Sequence, residues 1–597
     1  MLSSIIFYIF CVNIFLFIDY LLFRCITKKT VSRIKFSHVK QEDIDNEKTE
    51  FNKERFTQKK IPETVDVIVV GSGVGGLTSA ALLAKTGKKV LVLEQHYIAG
   101  GTLHSFVDNG VEHETGLHYI GNIEKRMPIL NLITDNNLKW SKLGWEREDK
   151  RFVYDEIVIG DEIFEFEAGI DNLKKYLMKK FPEESEYSFD LYFELIKKAS
   201  NKSAFFITKL IPYKLINSLI MYFDSNYHLI CTESAYSIVS KIFKNQKLVS
   251  VLLGQFGDYG IVPKEASFFI HASIVNHYLD GGWFPRGGTG EIANQICKTI
   301  KRYGGQVLVG KAVKQILVDK NGAYGVKMEN GVDIYANTII SAVGVRNTFK
   351  RLVKPEYTPN VYNKILANIP PSTYHMYCFV KLKGSPKELK LKSSNMWIYP
   401  HGDYDKLVTE FMKDPYEAPI PLFMSFSCQK DEDWENNYPG YSNAIILTQV
   451  NREMFDNWDN KRCMKRGFDY EMLKEQIGER MLEEGLFKFY PELRDKVQHV
   501  SYGTPLSTQF YLNAFSGESY GLDMNQYRLL EANELRPKTL INNLYLTGQD
   551  ICTLGVTGAM MAGVLTANVV AGYDSLFDLL LNNNIVSDLE KSKSKEI

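Results

Sequence analysis

The chain has 597 residues, which is too long for a single hydrophobic core and indicates two or more domains. Lysine plus arginine and aspartate plus glutamate both total 71, so the net charge is zero and no basic excess supports nucleic-acid binding. The eight cysteines lack CxxC or metal-ligand spacing, which favours reduced thiols over a disulfide framework and predicts no metal site.

The N-terminus carries an apolar segment, residues 5–23, which is about as long as a membrane-spanning helix needs to be. A cleaved signal peptide is the alternative, but the segment has neither a basic start nor a small-residue cleavage site. Because Arg24 and Lys28 follow it, the positive-inside rule places the catalytic body in the cytoplasm. Lys593 and Lys595 resemble the retrieval signal of endoplasmic-reticulum membrane proteins, so we expect that membrane as the location.

Residues 65–94 (VDVIVVGSGVGGLTSAALLAKTGKKVLVLE) predict a strand, a glycine turn, a helix and a second strand. Gly71 makes the tight turn, Gly73 lets the backbone approach a pyrophosphate, and Gly76 lets helix and strand pack closely. The N–H groups of the first helical turn face the anion. Glu94 ends the second strand, where it can accept hydrogen bonds from ribose hydroxyls. The pattern predicts a dinucleotide site; the alternative is a Rossmann unit that has lost its ligand.

Two segments after this unit are more typical of flavoproteins than of NAD dehydrogenases. Gly100, Gly101 and Thr102 follow the second strand, where a glycine pair lets the backbone run close to FAD; an ordinary turn is the alternative. Residues 304–342 alternate short apolar runs with turn signals and predict a β-meander, with Val313 flanking the adenine.

The region near the C-terminus carries a related signal. Residues 543–550 (NLYLTGQD) predict a strand that ends in Gly548 and Asp550, and residues 555–570 carry glycine and small residues at helical spacing. Such a strand and helix N-terminus would close over the flavin ribityl chain and ring. We therefore expect FAD, with nucleotide contacts from Gly71, Ser72, Gly73, Gly76, Glu94, Gln95, Gly100, Gly101, Thr102, Val313, Gly548 and Asp550.

A second apolar region, residues 204–223, is interrupted by Lys209, Pro212 and Lys214 and is too broken for a membrane span. It predicts either a pair of core helices or helices lying in a membrane interface beside a lipid entry port. The core interpretation is the one we favour.

Several motifs together resemble the carotenoid isomerase and retinol saturase branch of the phytoene-desaturase-like FAD oxidoreductases. The resemblance covers nearly the whole chain after about residue 62. Its carriers are GSGVGGLTSAALLAKTGKKVLVLEQH at 71–96, ETGLHYIG at 114–121, GGWFPRGGTGEI at 281–292 and LRPKTLINNLYLTGQDICTLGVTGAMMAG at 535–563. The segments at 421–442 and 502–523 are more specific and are most similar to the retinol saturases.

The resemblance implies an α/β fold in which a glutathione-reductase-like (Rossmann) FAD-binding domain is interleaved with an α+β substrate domain. We expect the first domain at residues 61–130, 280–350 and 535–575, and the second at 131–279 and 351–534. An N-terminal anchor and linker (1–60) and a polar tail (576–597) complete the chain. Cys552 to Leu554 and the Met560–Met561 pair depart from the family pattern at the expected flavin edge.

The resemblance also implies non-covalent FAD, NAD or NADP as candidate electron donor, membrane association and a hydrophobic polyene substrate, such as a retinoid. The reaction expected is saturation of one C=C bond. Polyene cis–trans isomerisation and desaturation are alternatives that use the same flavin site. A further alternative is an escort protein of the same fold, which holds prenylated GTPases without flavin chemistry.

Saturation of a double bond needs a proton donor beside the flavin. His118 and Tyr119 are adjacent proton carriers and are the candidate catalytic pair, although both could be structural. Arg286 could bind a cofactor phosphate or a polar substrate end, or it could brace the helix that begins near residue 290. His271 and His277 lie in an apolar run, where core histidines are the commoner outcome.

Overall fold

The computed structural model describes residues 50–146, 152–200, 203–211, 213–223, 230–530 and 532–572. The expected anchor at 5–23 and the C-terminal lysines lie outside these residues. Within them, no helix is both long and apolar enough to cross a membrane, and no cluster of His, Cys, Asp and Glu could hold a metal ion. No disulfide joins the cysteines at the described positions.

The strands, in chain order, are β1 Val67–Val70, β2 Val90–Leu93, β3 Ser105–Asp108, β4 Val111–Glu114, β5 Ile120–Gly121, β6 Trp140–Lys142, β7 Trp145–Glu146, β8 Phe152–Ile159, β9 Glu162–Glu167, β10 Gly282–Pro285, β11 Gln306–Leu308, β12 Val313–Asp319, β13 Gly322–Met328, β14 Asp333–Tyr335, β15 Thr338–Ser341, β16 His375–Lys383, β17 Asn395–Tyr399, β18 Leu422–Ser425, β19 Tyr441–Gln449, β20 Val497–Gly503 and β21 Leu544–Leu546.

The longer helices are α1 Val74–Lys85, α2 Ile123–Thr134, α3 Ile170–Lys180, α4 Glu186–Ala199, α5 Ser203–Leu210, α6 Lys214–Phe223, α7 Ala235–Ile242, α8 Gln246–Leu253, α9 Phe268–Tyr278, α10 Gly290–Arg302, α11 Asn360–Asn368, α12 Tyr404–Lys413, α13 Phe468–Met481, α14 Pro505–Leu512 and α15 Gly555–Ala571. Single turns occupy several of the loops between them.

A five-stranded parallel sheet has the order β11-β2-β1-β15-β21. Its central strands, VIVV and VLVL, are continuous apolar runs because both faces of a parallel sheet are covered. Val67 pairs in register with Val90 on one side and Thr338 on the other. Helices α10 and α15 both pack against α1. This arrangement brings the carboxyl ends of β1, β15 and β21 to one edge of the sheet.

The segment at 304–342 differs from the expected meander. Only β12, β13 and β14 form an antiparallel meander, whereas β11 and β15 join the parallel sheet. The two kinds of strand differ in burial: three of the four residues of β15 are buried, as in a sheet covered on both faces, whereas only two of the seven residues of β12 are buried.

A second sheet has eight strands in the order β20-β16-β19-β18-β17-β8-β7, with β9 paired to β8. Beside it, α4 packs on α9, and α7 contacts both α8 and α9. The largest buried cluster is rich in aromatic side chains and includes Phe189, Tyr192, Phe243, Phe268 and Phe269.

The apolar region at 204–223 forms two helices, and only the first is a core helix. Helix α5 contacts α15 and buries Phe205. Helix α6 instead exposes Leu215 (74%) and Tyr222 (78%). The expectation of a core helix pair is therefore wrong for α6, because the side chains of Leu215 and Tyr222 lie at the surface.

Candidate active site

A deep cleft of about 2050 Å³, including its open mouth, lies at the carboxyl ends of β1, β15 and β21, where ligands bind in open α/β sheets. The second sheet contributes His375, Tyr377 and Leu447 to its walls. The expected nucleotide contacts that line it are Gly71, Ser72, Gly73, Gly76, Glu94, Gln95, Gly101, Thr102, Val313, Gly548 and Asp550.

The glycine turn combines tight packing behind the cleft with open space in front of it. A Cβ added at Gly76 would lie 2.5 Å from the carbonyl oxygen of Gly71, and one at Gly75 would lie 2.8 Å from Cα of Gly548. A Cβ added at Gly73 would meet nothing within 4 Å. Helix α1 begins there without a side-chain cap, so its first amides are available to an anion. This cradle fits a pyrophosphate.

Glu94 fixes the turn as well as facing the cleft. Its Oε2 accepts hydrogen bonds from the backbone N (2.9 Å) and Oγ (2.7 Å) of Ser72, and its Oε1 accepts one from N of His96 (2.8 Å). Gly100 does not line the cleft itself, but its N–H donates to Ser72 Oγ at 3.1 Å. The carboxylate therefore holds Ser72 in place and retains lone pairs for ribose hydroxyls.

Asp550 joins three segments at the end of β21. Its Oδ2 accepts from N of Val345 and its Oδ1 from N of Leu522, both at 2.8 Å. Helix α15 then presents Gly555, Val556 and Ala559 to the cleft. Its methionines Met560 and Met561 are buried on other faces, and neither they nor residues 552–554 are among the cleft-lining residues. The departures from the family pattern therefore lie behind the cleft wall.

His118 lines the cleft. Burial lowers the pKa of its imidazole to about 3, with the nearby Lys430 acting in the same direction, so the ring is neutral at pH 7. Its Nδ1 has no hydrogen-bond partner among the described residues, and its carbonyl oxygen accepts from Lys430 Nζ at 2.8 Å. The ring is free to contact a ligand in the cleft, and its catalytic role stays a prediction.

Tyr119 points away from the cleft lining. Its ring stacks on Tyr278 with centroids 4.1 Å apart, and its hydroxyl lies 3.0 Å from Asp155 Oδ2 and 2.8 Å from Asp258 Oδ2. Neither carboxylate was predicted from the sequence. A sequence signal was present for Asp155, since Asp155 and Glu156 interrupt the otherwise apolar strand β8, where both are buried.

Arg286 is not brought to the cleft. Its guanidinium makes two hydrogen bonds to Asp433, from Nη2 at 2.8 Å and Nε at 3.2 Å, and it lies 3.1 Å from Glu432. The planar fork matches a carboxylate in this paired geometry. Arg286 therefore links the loop after β10 to the acidic segment at 431–433. It does not line the cleft, where a phosphate or substrate would be expected to bind.

The two other histidines are structural. His271 is buried with Nε2 3.2 Å from the hydroxyl of Tyr192, and His277 Nε2 accepts a hydrogen bond from N of Gly121 at 2.8 Å.

The cleft also contains basic residues that the motifs did not reveal. Arg351 stacks 4.4 Å above the ring of Phe515 and donates to Asn347 Oδ1 at 2.9 Å.

Comparison with known proteins identifies the family to which the chain belongs. It matches the family model for flavin containing amine oxidoreductases over residues 74–571. It is 36% identical over 568 residues to the all-trans-retinol 13,14-reductase of Rattus norvegicus, covering 91% of this chain and 90% of that protein. The chloroplastic prolycopene isomerase of Daucus carota is 26% identical over 528 residues, 85% of this chain and 80% of that protein.

Among solved structures, wild-type putrescine oxidase bound to putrescine is similar with a TM-score of 0.56 at 14% identity, covering 85% of this chain and 99% of that one. This likeness concerns the fold alone. The family match and the 36% identity confirm the resemblance inferred from the sequence motifs. The chain belongs to the flavin-containing amine oxidoreductase family of enzymes, in the branch that contains the all-trans-retinol 13,14-reductases.

Proposed function

We propose that the protein holds FAD in the cleft and saturates one C=C bond of a hydrophobic polyene, with all-trans-retinol converted to 13,14-dihydroretinol as the leading reaction. The observation that carries this proposal is the convergence of the glycine turn, Val313 and the end of β21 on one cleft whose far wall comes from the second sheet. The name of the reductase relative supports the choice of substrate.

Reduced FAD would supply a hydride, which no amino-acid side chain can store. The amides at the start of α1 and the open face of Gly73 would hold its pyrophosphate, and Glu94 would accept hydrogen bonds from the ribose. Val313 would flank the adenine and Asp550 would lie beside the ribityl chain, since both line the cleft. His375, Tyr377 and Leu447 line the wall from the second sheet and would shield the reacting bond from water.

The proposal extends to the surroundings of the enzyme. NADH or NADPH is the proposed electron donor, and the endoplasmic reticulum membrane is the proposed location, with the catalytic body facing the cytosol. Residues 5–23 and the C-terminal lysines support the membrane assignment. The exposed apolar side chains of α6 support a second contact with lipid beside the core helices.

The test of the reaction is anaerobic reduction of the purified protein, followed by incubation with a panel of retinoids and carotenoids and mass spectrometry. We expect a product two hydrogens heavier than retinol. An isomer of unchanged mass would identify an isomerase instead, and loss of two hydrogens would identify a desaturase. A well-folded protein that neither contains nor takes up FAD would favour the escort alternative.

The test of the lipid contact uses environment-sensitive fluorophores on the full chain. We expect a label at L215C on α6 to shift to the blue when phospholipid vesicles are added. A label at F468C is the matched control, because Phe468 is also exposed (76%) but begins α13 in another part of the chain. Equal shifts at both positions, or none at either, would contradict a specific contact through α6.

A further inference from the structure

One histidine on the cleft wall uses only one of its two ring nitrogens in a hydrogen bond to the protein. His375, at the start of β16, lines the cleft and is 7% exposed. Its Nδ1 lies 2.7 Å from Ser519 Oγ, whereas its Nε2 has no hydrogen-bond partner in the part of the chain that the structure describes. Polar atoms of mostly buried side chains are normally hydrogen-bonded, so Nε2 is available to a ligand in the cleft.

The wall around His375 is aromatic and apolar. The rings of Tyr377 and Tyr520 lie with their centroids 6.3 and 6.0 Å from its imidazole, and both side chains line the cleft. Leu447 of β19 pairs in register with Tyr377 and lines the same wall. The hydrocarbon chain of a polyene can pack against such a wall, but a polar end of the same molecule needs a hydrogen-bonding group.

The tyrosine hydroxyls beside the histidine already have protein partners. The hydroxyl of Tyr520 approaches the carbonyl oxygen of Gly257 at 3.4 Å, and the hydroxyl of Tyr377 interacts with that of Ser519. Of this group, Nε2 of His375 is therefore the polar atom that is left for a ligand.

The imidazole of His375 suits an uncharged polar group. Burial lowers its pKa to about 4, so the ring is neutral at pH 7. The Ser519 hydroxyl can donate or accept and matches either tautomer, so Nε2 presents one donor or one acceptor. An alcohol can pair with both, whereas an ionised carboxylate would gain no opposite charge here. The cleft-lining arginines Arg346 and Arg351 flank the ring of Phe515 instead.

The histidine is linked to the strand end beside which the proposed FAD would place its ribityl chain. N of Ser519 donates to the carbonyl oxygen of Thr373 at 2.9 Å, which joins the segment at 519–522 to the start of β16. N of Leu522 then donates to Asp550 Oδ1 at 2.8 Å. These backbone hydrogen bonds hold the pair of His375 and Ser519 next to Asp550.

This position fits a polyene that carries an alcohol at one end. In retinol, one carbon of the 13,14 double bond is attached directly to the carbon that carries the hydroxyl. A hydrogen bond to that hydroxyl therefore fixes the position of the adjacent double bond, which is the orientation effect that a reaction with a bound cofactor requires.

We propose that His375 binds the terminal hydroxyl of the substrate through Nε2, and that Ser519 is a positioning residue that holds the imidazole for this contact. This inference rests on the proposed function and deepens it, because it makes the substrate a polyene with a primary alcohol at one end. A polyene hydrocarbon would bind without this contact, and its double bonds would have no fixed register against the cofactor.

The first test compares two ligands that differ only in the hydroxyl. All-trans-retinol and its analogue with hydrogen in place of the hydroxyl are titrated into the FAD-containing protein, and quenching of tryptophan fluorescence gives each dissociation constant. The ratio of the two constants removes the contribution of the shared hydrocarbon chain. We expect the preference for retinol to fall by about fivefold or more in H375F, because one hydrogen bond is lost. H375Q, whose amide can still form a hydrogen bond, should recover part of it.

The matched control is H401F, because His401 follows β17 and does not line the cleft. This variant should keep the wild-type ratio. S519A removes the hydroxyl that orients the imidazole and should lower the preference in the same direction, which keeps the proposal testable if H375F does not fold. A wild-type ratio in the folded His375 and Ser519 variants would overturn the proposal. A wild-type protein that binds neither ligand would instead refute the proposed function.

The second test determines which double bond is reduced. We expect wild type to give one dihydroretinol and H375F to give isomers reduced at internal bonds as well. Ultraviolet absorption separates them, because reduction at the alcohol end leaves one conjugated run and reduction of an internal bond divides it. The wild-type product alone from H375F would contradict anchoring by His375. Failure of wild type itself to form dihydroretinol would count against the proposed function.

Discussion

At the residue scale, the glycine turn offers a test that separates folding from cofactor binding. Gly73 has φ −59° and no atom near its vacant Cβ position, so alanine fits the backbone there. Its methyl group would occupy the space assigned to the pyrophosphate. We expect Gly73→Ala to weaken FAD binding at least tenfold, about 1.4 kcal/mol, without lowering the stability of the apoprotein. Fluorescence titration with FAD and thermal unfolding measure the two quantities.

The control is Gly503→Ala at the end of β20, where an added Cβ makes ordinary contacts at 3.4 Å with Phe379 and Tyr377. This variant should bind FAD as wild type does. Equal FAD affinity in the Gly73 and Gly503 variants would show that the pyrophosphate does not pass over Gly73.

The cleft-lining positions of Gly73 and Glu94 could be predicted from the sequence, because local backbone geometry dictates them within the strand-turn-helix pattern at 65–94. The cluster of Tyr119, Asp155 and Asp258 could not be predicted from the sequence, since these three residues meet only in the folded chain. The choice between the two roles left open for Arg286 could not be made from the sequence for the same reason, because the sequence does not show that Asp433 is its partner.

At the element scale, Asp135 joins three helices of the nucleotide domain. It follows α2 and lies 2.6 Å from Lys85 of α1 and 2.5 Å from Arg302 of α10, both of which have side chains less than a tenth exposed. Its φ of 52° is one that asparagine also tolerates, so Asp135→Asn changes mainly the charge. Removing the negative charge takes a carboxylate partner from two buried cations, and we expect a loss of about 3 kcal/mol in the free energy of unfolding.

Urea denaturation measures this loss, with Glu356→Gln as control. Glu356 lies 3.9 Å from Lys354 in an exposed pair, which should contribute less than about 0.5 kcal/mol. Similar midpoints for Asp135→Asn and wild type would show that the ion cluster does not hold the helices together.

Element boundaries followed the sequence closely, as in β1 and β2, whereas strand pairing and helix burial differed from expectation where tertiary packing decides. The strands at 306–308 and 338–341 have the local pattern of a meander but pair with the parallel sheet. Helix α6 has the apolar composition of a core helix but an exposed face. Neither outcome is encoded in periodicity, because both depend on which distant segment arrives beside the element.

At the scale of the whole molecule, the cleft walls come from both sheets, so FAD should stabilise the protein as a unit. Binding to the native state alone adds about 2.7 kcal/mol when free FAD is one hundred times its dissociation constant. We expect the unfolding midpoint of the apoprotein to rise with FAD concentration, and the shift to fall to about half or less in Gly73→Ala at the same concentrations. A midpoint that is insensitive to FAD would show that the apoprotein does not bind it, and an undiminished shift in Gly73→Ala would place the cofactor outside this cleft.

The most direct test of the account is a single turnover without oxygen. Enzyme-bound FAD is reduced, excess donor is removed, and all-trans-retinol is added while flavin absorbance and product mass are followed together. We expect one reduced flavin to be reoxidised for each molecule of dihydroretinol formed, with a mass gain of two hydrogens. A flavin that stays reduced while retinol is unchanged or only isomerised would contradict saturation at this site.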